Sequence, residues 1–185
     1  MVATVYVARE TVGSEPRVAA SPDTVKKMKS LGLDVVVEAG AGALSRIPDG
    51  EFEKLGARIG NTADAASADV VLKVRRPTTD EIRGYKSGAI VIAIMDPYGN
   101  DAALAEMASA GLTAFAMELM PRITRAQSMD VLSSQANLAG YQAVIDAASV
   151  YDRAMPMMMT AAGTVKAARV VILGVGVAGL QAIAT

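Results

Sequence analysis

The sequence contains no cysteine, no histidine and no tryptophan among its 185 residues. Without cysteine there can be no disulfide framework, no thiol nucleophile and no thiolate metal site, and a reducing compartment fits. Without histidine the commonest general acid/base and metal ligand is missing, and no metal site is expected. Net charge is scarce as well. The formal value is −1 and the basic residues are dispersed, so nothing points to nucleic acid, although single arginines can still bind an acidic group. Long apolar runs are also lacking. The longest uncharged stretches, Val131–Ile145 and Val170–Thr185, fall short of the ~20 residues a membrane span needs, and glycines break the second. Met1–Val7 shows no basic leader, and a signal peptide is not expected there. A chain that is soluble by itself, with no direct membrane insertion, is expected.

What is there suits a globular α/β protein. Hydrophobic residues make up 52% and charged residues 20%, and the length allows one good core or one domain plus the start of another. Eleven methionines fit adaptable core packing. Val2–Ala8 reads as a short β-branched strand. Ser21-Pro22-Asp23 then offers an N-cap, a proline at the first helical position and an acid in the first turn. The helix carries Val25, Met28 and Leu31 and stops at Gly32, before a strand over Leu33–Val37. The same helix–glycine–strand joint recurs at Gly56 before Ala57–Ile59 and at Gly111 before Leu112–Met117. Val70–Val74 and Ala89–Met95 read as continuous apolar strands buried on both faces, with helices over Thr62–Ala66, Thr79–Tyr85 and Asn100–Ala110. These are βαβ units feeding a parallel sheet.

Beyond Met117 the texture changes. Glu118–Gln127 reads as a polar loop, and Ser128–Ala154 as one long helix in which Gly140 marks a close approach or a bend. Met155–Thr164 reads as a turn-rich connection and Arg169–Leu173 as a buried strand. The expected fold is a flavodoxin- or Rossmann-like parallel sheet with helices on both faces over residues 1–127. A linking helix and connection follow over 128–164, and then the truncated start of a Rossmann domain over 165–185. One strand and half a helix cannot bury their own faces, so the chain is expected to be a fragment of a longer polypeptide.

Gly174-Val175-Gly176-Val177-Ala178-Gly179 lies between that strand and a helix, which gives the pattern its meaning. Gly174 permits the tight turn, Gly176 lets backbone approach a pyrophosphate, and Gly179 lets helix and strand pack closely. Helix-start N–H groups, with Val177 and Ala178 in the first turn, then face the phosphates. The acid that selects NAD over NADP would lie ~20 residues further on, beyond Thr185.

Four segments carry a family resemblance: M-E-L-M-P-R-I-T-R-A-Q-S-M-D-V-L-S-S-Q-A-N-L-A-G-Y at Met117–Tyr141, P-M-M-M-T-A-A-G-T-V at Pro156–Val165, E-P-R-V-A-A-S-P at Glu15–Pro22 and L-K-V-R-R-P at Leu72–Pro77. Together they resemble the first domain of the alpha subunit of proton-translocating nicotinamide nucleotide transhydrogenase, a family that shares its fold with alanine dehydrogenase. The resemblance implies an NAD(H)-binding component that passes hydride to NADP(H) held on an NADP-binding beta subunit, with a membrane-spanning subunit moving protons. It further implies a homodimer, cytoplasmic and peripheral to the inner membrane through its partners.

Residue by residue, the resemblance places Arg122, Gln127 and Asp130 in a loop over the nicotinamide and Ser133 at the same end, with Gln127 reaching the second nucleotide. The residue types suit those roles, since arginine offers a planar fork and glutamine and serine complete the hydrogen bonds of an amide. Read without the family, an Arg122–Asp130 pair that merely staples a helix start stands as an alternative.

Alanine dehydrogenases, by the same resemblance, use a lysine where this chain has Arg75 and a histidine that it lacks. Lys73 matches a neighbouring lysine and is expected to pack or pair at a strand end. Asp96 is a poor stand-in for the proton acceptor. Arg17 matches a substrate-carboxylate arginine but is expected in a structural ion pair. Transhydrogenases also often keep a histidine near position 95, a departure that touches Met95–Tyr98 and not the Arg122–Ser133 loop. Oxidising an amino acid needs a group to take a proton. Hydride exchange between two nicotinamides needs only their C4 atoms aligned at ~3–3.5 Å. Two other readings are an alanine dehydrogenase-like amino-acid oxidoreductase and a non-catalytic truncated interaction domain. For the 185 residues alone, weak or no NADH binding is expected.

Overall fold

The computed structural model describes residues 2–13 and 15–185, so Met1, at the head of the Met1–Val7 run, lies outside the described residues. The chain divides into two compact units, Met1–Met120 and Pro121–Thr185.

The first unit is built on a six-stranded sheet. Its strands are β1 (Thr4–Val7), β2 (Asp34–Glu38), β3 (Arg58–Gly60), β4 (Val70–Arg75), β5 (Ile90–Ile94) and β6 (Thr113–Ala116), in the order β3-β2-β1-β4-β5-β6. Every pairing is parallel. This is the Rossmann order rather than the flavodoxin one, with its switch point between β1 and β4. Four helices cover the sheet: α1 (Pro22–Ser30), α2 (Asp49–Glu53), α3 (Thr79–Arg83) and α4 (Asp101–Ser109). The Thr62–Ala66 segment, expected as a helix, lies in a 3-10 turn over Thr62–Ser67 capped by Asn61. The short α2, with Phe52 fully buried, is the helix ahead of the Gly56 joint, whose bounds sequence did not give.

Alternation along the strands divides the apolar residues between two cores, because successive side chains leave a strand on opposite faces. Tyr6, Val36, Val71 and Val91 join Ile82 of α3 and Met107 of α4 on one face. Val7, Val35 and Val37 join Val25 of α1 and Phe52 of α2 on the other. Helices therefore cover both faces, as the continuous apolar runs required.

Local sequence sets the ends of these elements. Ser21 accepts from Thr24 N and Thr24 Oγ1 accepts from Ser21 N, a reciprocal capping box with Pro22 at the first turn of α1. Thr78 and Glu81 form the same device at α3. The three joints expected at Gly32, Gly56 and Gly111 all have left-handed backbone, with φ of 80°, 92° and 74°.

In the second unit, a 3-10 turn over Thr124–Met129 leads into α5 (Val131–Val150). The polar segment after Pro121 thus belongs with this helix, and the first unit closes at Met120, ahead of residue 127. An antiparallel hairpin follows, β7 (Met158–Thr160) with β8 (Gly163–Val165), where a turn-rich connection was expected. The chain ends in α6 (Val177–Ala184).

The expected buried strand at Arg169–Leu173 is corrected. None of these residues is in a strand, and Val171 and Leu173 are 83% and 95% exposed. A strand exists only through pairing, and no described segment pairs with this one.

Candidate functional site

The residues expected to bind a dinucleotide lie in the second unit, at the starts of its two helices. Asp130 is the N-cap of α5. One carboxylate oxygen accepts from the Ser133 N–H at 2.9 Å and the other from the Ser133 hydroxyl at 2.7 Å. These two bonds from Ser133, backbone first, hold the Asp130 carboxyl below its ordinary range, and the Arg122 charge adds a smaller push in the same direction. The Asp130 carbonyl also accepts from the Ser134 hydroxyl at 2.8 Å. Asp130 and Ser133 are therefore brought together and fixed in orientation.

Arg122 and Gln127 lie on the segment leading into that cap, and both are exposed. The Gln127 carbonyl accepts from Asp130 N at 3.3 Å, which ties the turn to the cap while the amide side chain faces solvent. Ala126 is the one buried residue of this turn and anchors it. Among the described residues no ion pair joins Arg122 to Asp130, and the Arg122 charge acts on that carboxyl from beyond contact.

At the start of α6, Gly174 has a φ of 96° and open space where a Cβ would stand. Gly176, the N-cap, is equally open and provides no side-chain cap. Gly179 is the opposite case: a Cβ there would come within 1.9 Å of the Gly174 carbonyl oxygen. The turn thus folds back against the first turn of its own helix, the close packing expected of a third glycine. Val177 is exposed and Ala178 half-buried in that first turn. This arrangement fits a pyrophosphate, since the two open glycines let it approach and the helix start supplies N–H donors.

The two helices meet at Gly140, where a Cβ would lie 2.1 Å from the Ala178 carbonyl oxygen. This close approach explains a glycine inside a twenty-residue helix. Asn137, one turn earlier, donates to Gln181 at 2.9 Å. Sequence reasoning did not single out Asn137. The signal was present, because Asp130, Ser133, Asn137 and Gly140 recur every three or four residues on one face of α5.

The first unit holds a separate charged cluster at the switch point of its sheet. The Lys73 ammonium is fully buried, 2.8 Å from Glu81 and 3.6 Å from Glu10. Pairing in β4 shifts register between Leu72 and Arg75. There the Glu10 carboxylate accepts from the backbone N–H groups of Val74 and Arg75 at 2.6 and 3.3 Å. Lys73 is thus paired at a strand end, as expected. Arg17 is in an ion pair, its Nε 2.7 Å from Glu15, and Arg75 meets the same carboxylate at 2.9 Å. The Arg17 bonds, with Arg75 adding to them against the cost of burial, pull the Glu15 carboxyl down to about 2. Asp96 has a left-handed φ of 47°, and its N–H donates to Glu118. No group of three or more metal-ligating side chains occurs among the described residues.

A Rossmann-ordered sheet unit, followed by a capped helix and a glycine turn opening a second helix, defines a class of dinucleotide-handling α/β proteins. Within that class, the model of the alanine dehydrogenase/PNT N-terminal domain matches residues 6–139 and that of the C-terminal domain matches residues 143–185. The chain belongs to this alanine dehydrogenase/PNT family. It is 52% identical over 188 residues to an NAD(P) transhydrogenase alpha subunit of Rhodospirillum rubrum, covering 98% of this chain and 49% of that one. It is 31% identical to the alanine dehydrogenase of Mycobacterium tuberculosis over 96% of this chain and 49% of that one. Among solved structures it superposes on the transhydrogenase of Sinorhizobium meliloti with a TM-score of 0.95 at 73% identity, covering 98% of this chain and 55% of that one. An L-alanine dehydrogenase matches with a TM-score of 0.85 at 25% identity. The chain spans about half the length of the curated relatives it matches.

Proposed function

We propose that the chain is part of the NAD(H)-binding component of a proton-translocating transhydrogenase. Hydride passes between NADH, positioned by this component, and NADP+ held on an NADP-binding beta subunit. A membrane-spanning subunit couples that exchange to proton movement. The component acts as a homodimer in the cytoplasm, peripheral to the inner membrane through its partners. Among the described residues no helix is long and apolar enough to cross a membrane, so in this reading the spanning parts belong to those partners.

The observation that carries the reading is the start of α5, a site made for positioning. Asp130 spends both oxygens on Ser133, and the segment before it presents Arg122 and Gln127 outward. When bound, the nicotinamide ring supplies the carbon that gives or takes hydride. The chain's own residues orient it. Arg122 directs its planar fork at the carboxamide, Ser133 and Asp130 complete the hydrogen bonds at that end, and Gln127 reaches toward the second nucleotide. Gly174, Gly176, Val177, Ala178 and Gly179 present backbone N–H groups to the pyrophosphate. The names of the Rhodospirillum rubrum and Sinorhizobium meliloti relatives support the same assignment.

No proton need be moved in this exchange, which suits a sequence without histidine. An amino-acid oxidoreductase, the reading that the alanine dehydrogenase relatives raise, needs a proton acceptor. Asp96, the least unsuitable acceptor in the sequence, sits exposed at a left-handed turn, and Lys73 is already held by Glu10 and Glu81.

The test is stopped-flow hydride exchange between NADH and NADP+ by the whole component combined with its NADP-binding partner. Arg122→Ala is expected to slow exchange roughly 10- to 100-fold, as misplacement of a reacting ring does. Unchanged kinetics would remove the role assigned to this segment. Deamination of alanine by the component alone would remove the proposal.

A further inference from the structure

Between β1, β2 and α3 lies a small pocket of about 40 Å³, lined in part by Tyr6, Glu38, Thr62, Glu81 and Tyr85. Tyr6 is 1% exposed. Its hydroxyl and that of Tyr85 are both buried, and neither has a hydrogen-bond partner among the described residues. Buried polar atoms in folded proteins are nearly always paired, so two orphaned hydroxyls facing one pocket call for a shared partner. Burial, then the Glu38 carboxylate, which approaches the phenol without reaching hydrogen-bond geometry, then Tyr85 hold the Tyr6 phenol above its ordinary range, so it stays protonated and must donate.

The neighbouring carboxylates differ in what they can still accept. Glu81 already takes bonds from Lys73 and Thr11 on one oxygen and from the Thr78 N–H and hydroxyl on the other. Among the described residues, Glu38 takes only Thr62 Oγ1 on one oxygen and Arg9 N on the other, each at 2.8 Å. A carboxylate has about four acceptor positions, so Glu38 has capacity left.

The pocket exceeds the ~10–15 Å³ that one water needs and is far below the ~300 Å³ of a small-molecule site. We propose that a water molecule is bound in this pocket as a permanent part of the fold, accepting from the Tyr6 and Tyr85 hydroxyls and donating to the Glu38 carboxylate. An ammonium or potassium ion would be attracted by Glu38, but neither has a lone pair to receive the hydroxyl hydrogens. The water joins the ends of β1 and β2 to the residues just after α3. It thereby pins the helix whose Glu81 holds Lys73.

The experiment compares the full chain with Tyr6→Phe, Tyr85→Phe and the double variant. Each single change is expected to lower Tm by about 2–4 °C, and the double change by less than the sum because both hydroxyls hold one molecule. A raised Tm in either single variant means the hydroxyls are unpaired, and additive losses mean they share nothing. Either result overturns the proposal. Oxygen-17 magnetic relaxation dispersion, which needs only folded protein, is expected to detect a long-lived water in the unaltered chain that is lost in the double variant. Equal dispersion in the two overturns it. Replacing sodium chloride by ammonium or potassium chloride at equal ionic strength is expected to leave Tm unchanged, and stabilisation by either ion overturns it in favour of a cation.

Discussion

Replacing Lys73 by methionine tests how the first unit is held together. The ammonium is fully buried between Glu10 and Glu81, whose side chains are 2% and 14% exposed. Breaking a buried pair by removing one partner costs about 3–5 kcal/mol, because the remaining charge is stranded in a medium that solvates it poorly. Here both carboxylates keep other donors. Glu10 retains the Val74 and Arg75 N–H groups, and Glu81 retains Thr78 and Thr11. The loss therefore falls at the lower end, about 3 kcal/mol, or roughly 6–12 °C in Tm for a chain of this length. The pH dependence gives a second handle. Burial raises the Glu81 carboxyl, but the Lys73 hydrogen bond and the Thr78 N–H lower it more, and its folded value lies below the ordinary one. The unaltered protein therefore has this stabilisation above the ordinary carboxylate pKa and loses it as pH falls through the folded value. In Lys73→Met burial acts with less opposition, the carboxyl rises, and protonation relieves the stranded charge. The deficit is largest at pH 7 and shrinks toward pH 5. Adding Glu81→Gln, which keeps the capping box, restores part of the stability. Calorimetry at the two pH values reads this directly. A deficit below ~1 kcal/mol, or one equal at both pH values, would refute the reasoning.

Two further substitutions extend it. Glu15→Gln should flatten the acid limb of the stability curve: the native carboxyl lies at about 2 against an ordinary 4.5, so its contribution is complete above 4.5 and lost as pH falls toward 2. Tm measured from pH 5 down to 2.5 checks this, and identical slopes for the two proteins would count against the Arg17–Glu15–Arg75 clamp. Gly140→Ala would gain ~1 kcal/mol by helix propensity alone. The Cβ lying 2.1 Å from the Ala178 carbonyl oxygen should outweigh that, for a net loss of about 1–3 kcal/mol in urea unfolding. A stabilised variant would mean that α5 and α6 do not meet there.

Most local features were legible in the residues. The three glycine joints, the Ser21 cap and the apolar strands all follow from short-range rules of backbone conformation and side-chain alternation. In the candidate site the glycine turn and the close approach at Gly140 were readable, because only glycine tolerates such contacts. Asn137 and the grip of Asp130 on Ser133 were not singled out, since a hydrogen-bond partner is chosen by three-dimensional placement among many polar residues. Arg169–Leu173 marks the limit of such reading: the four apolar residues after Arg169 suit a strand, yet no described neighbour pairs with them.

By itself, then, the sequence determined an alternation of strands and helices, a sheet buried on both faces, and a chain without the usual proton-transfer residue. Tertiary structure alone decided that β1 lies beside β4, that Glu10 closes the irregular end of that strand, and that Lys73 meets the carboxylate of the distant Glu10 as well as that of Glu81. The reason is that turns and caps are set by residues a few positions apart, whereas strand order and buried charge pairing depend on which distant segments the whole core brings together.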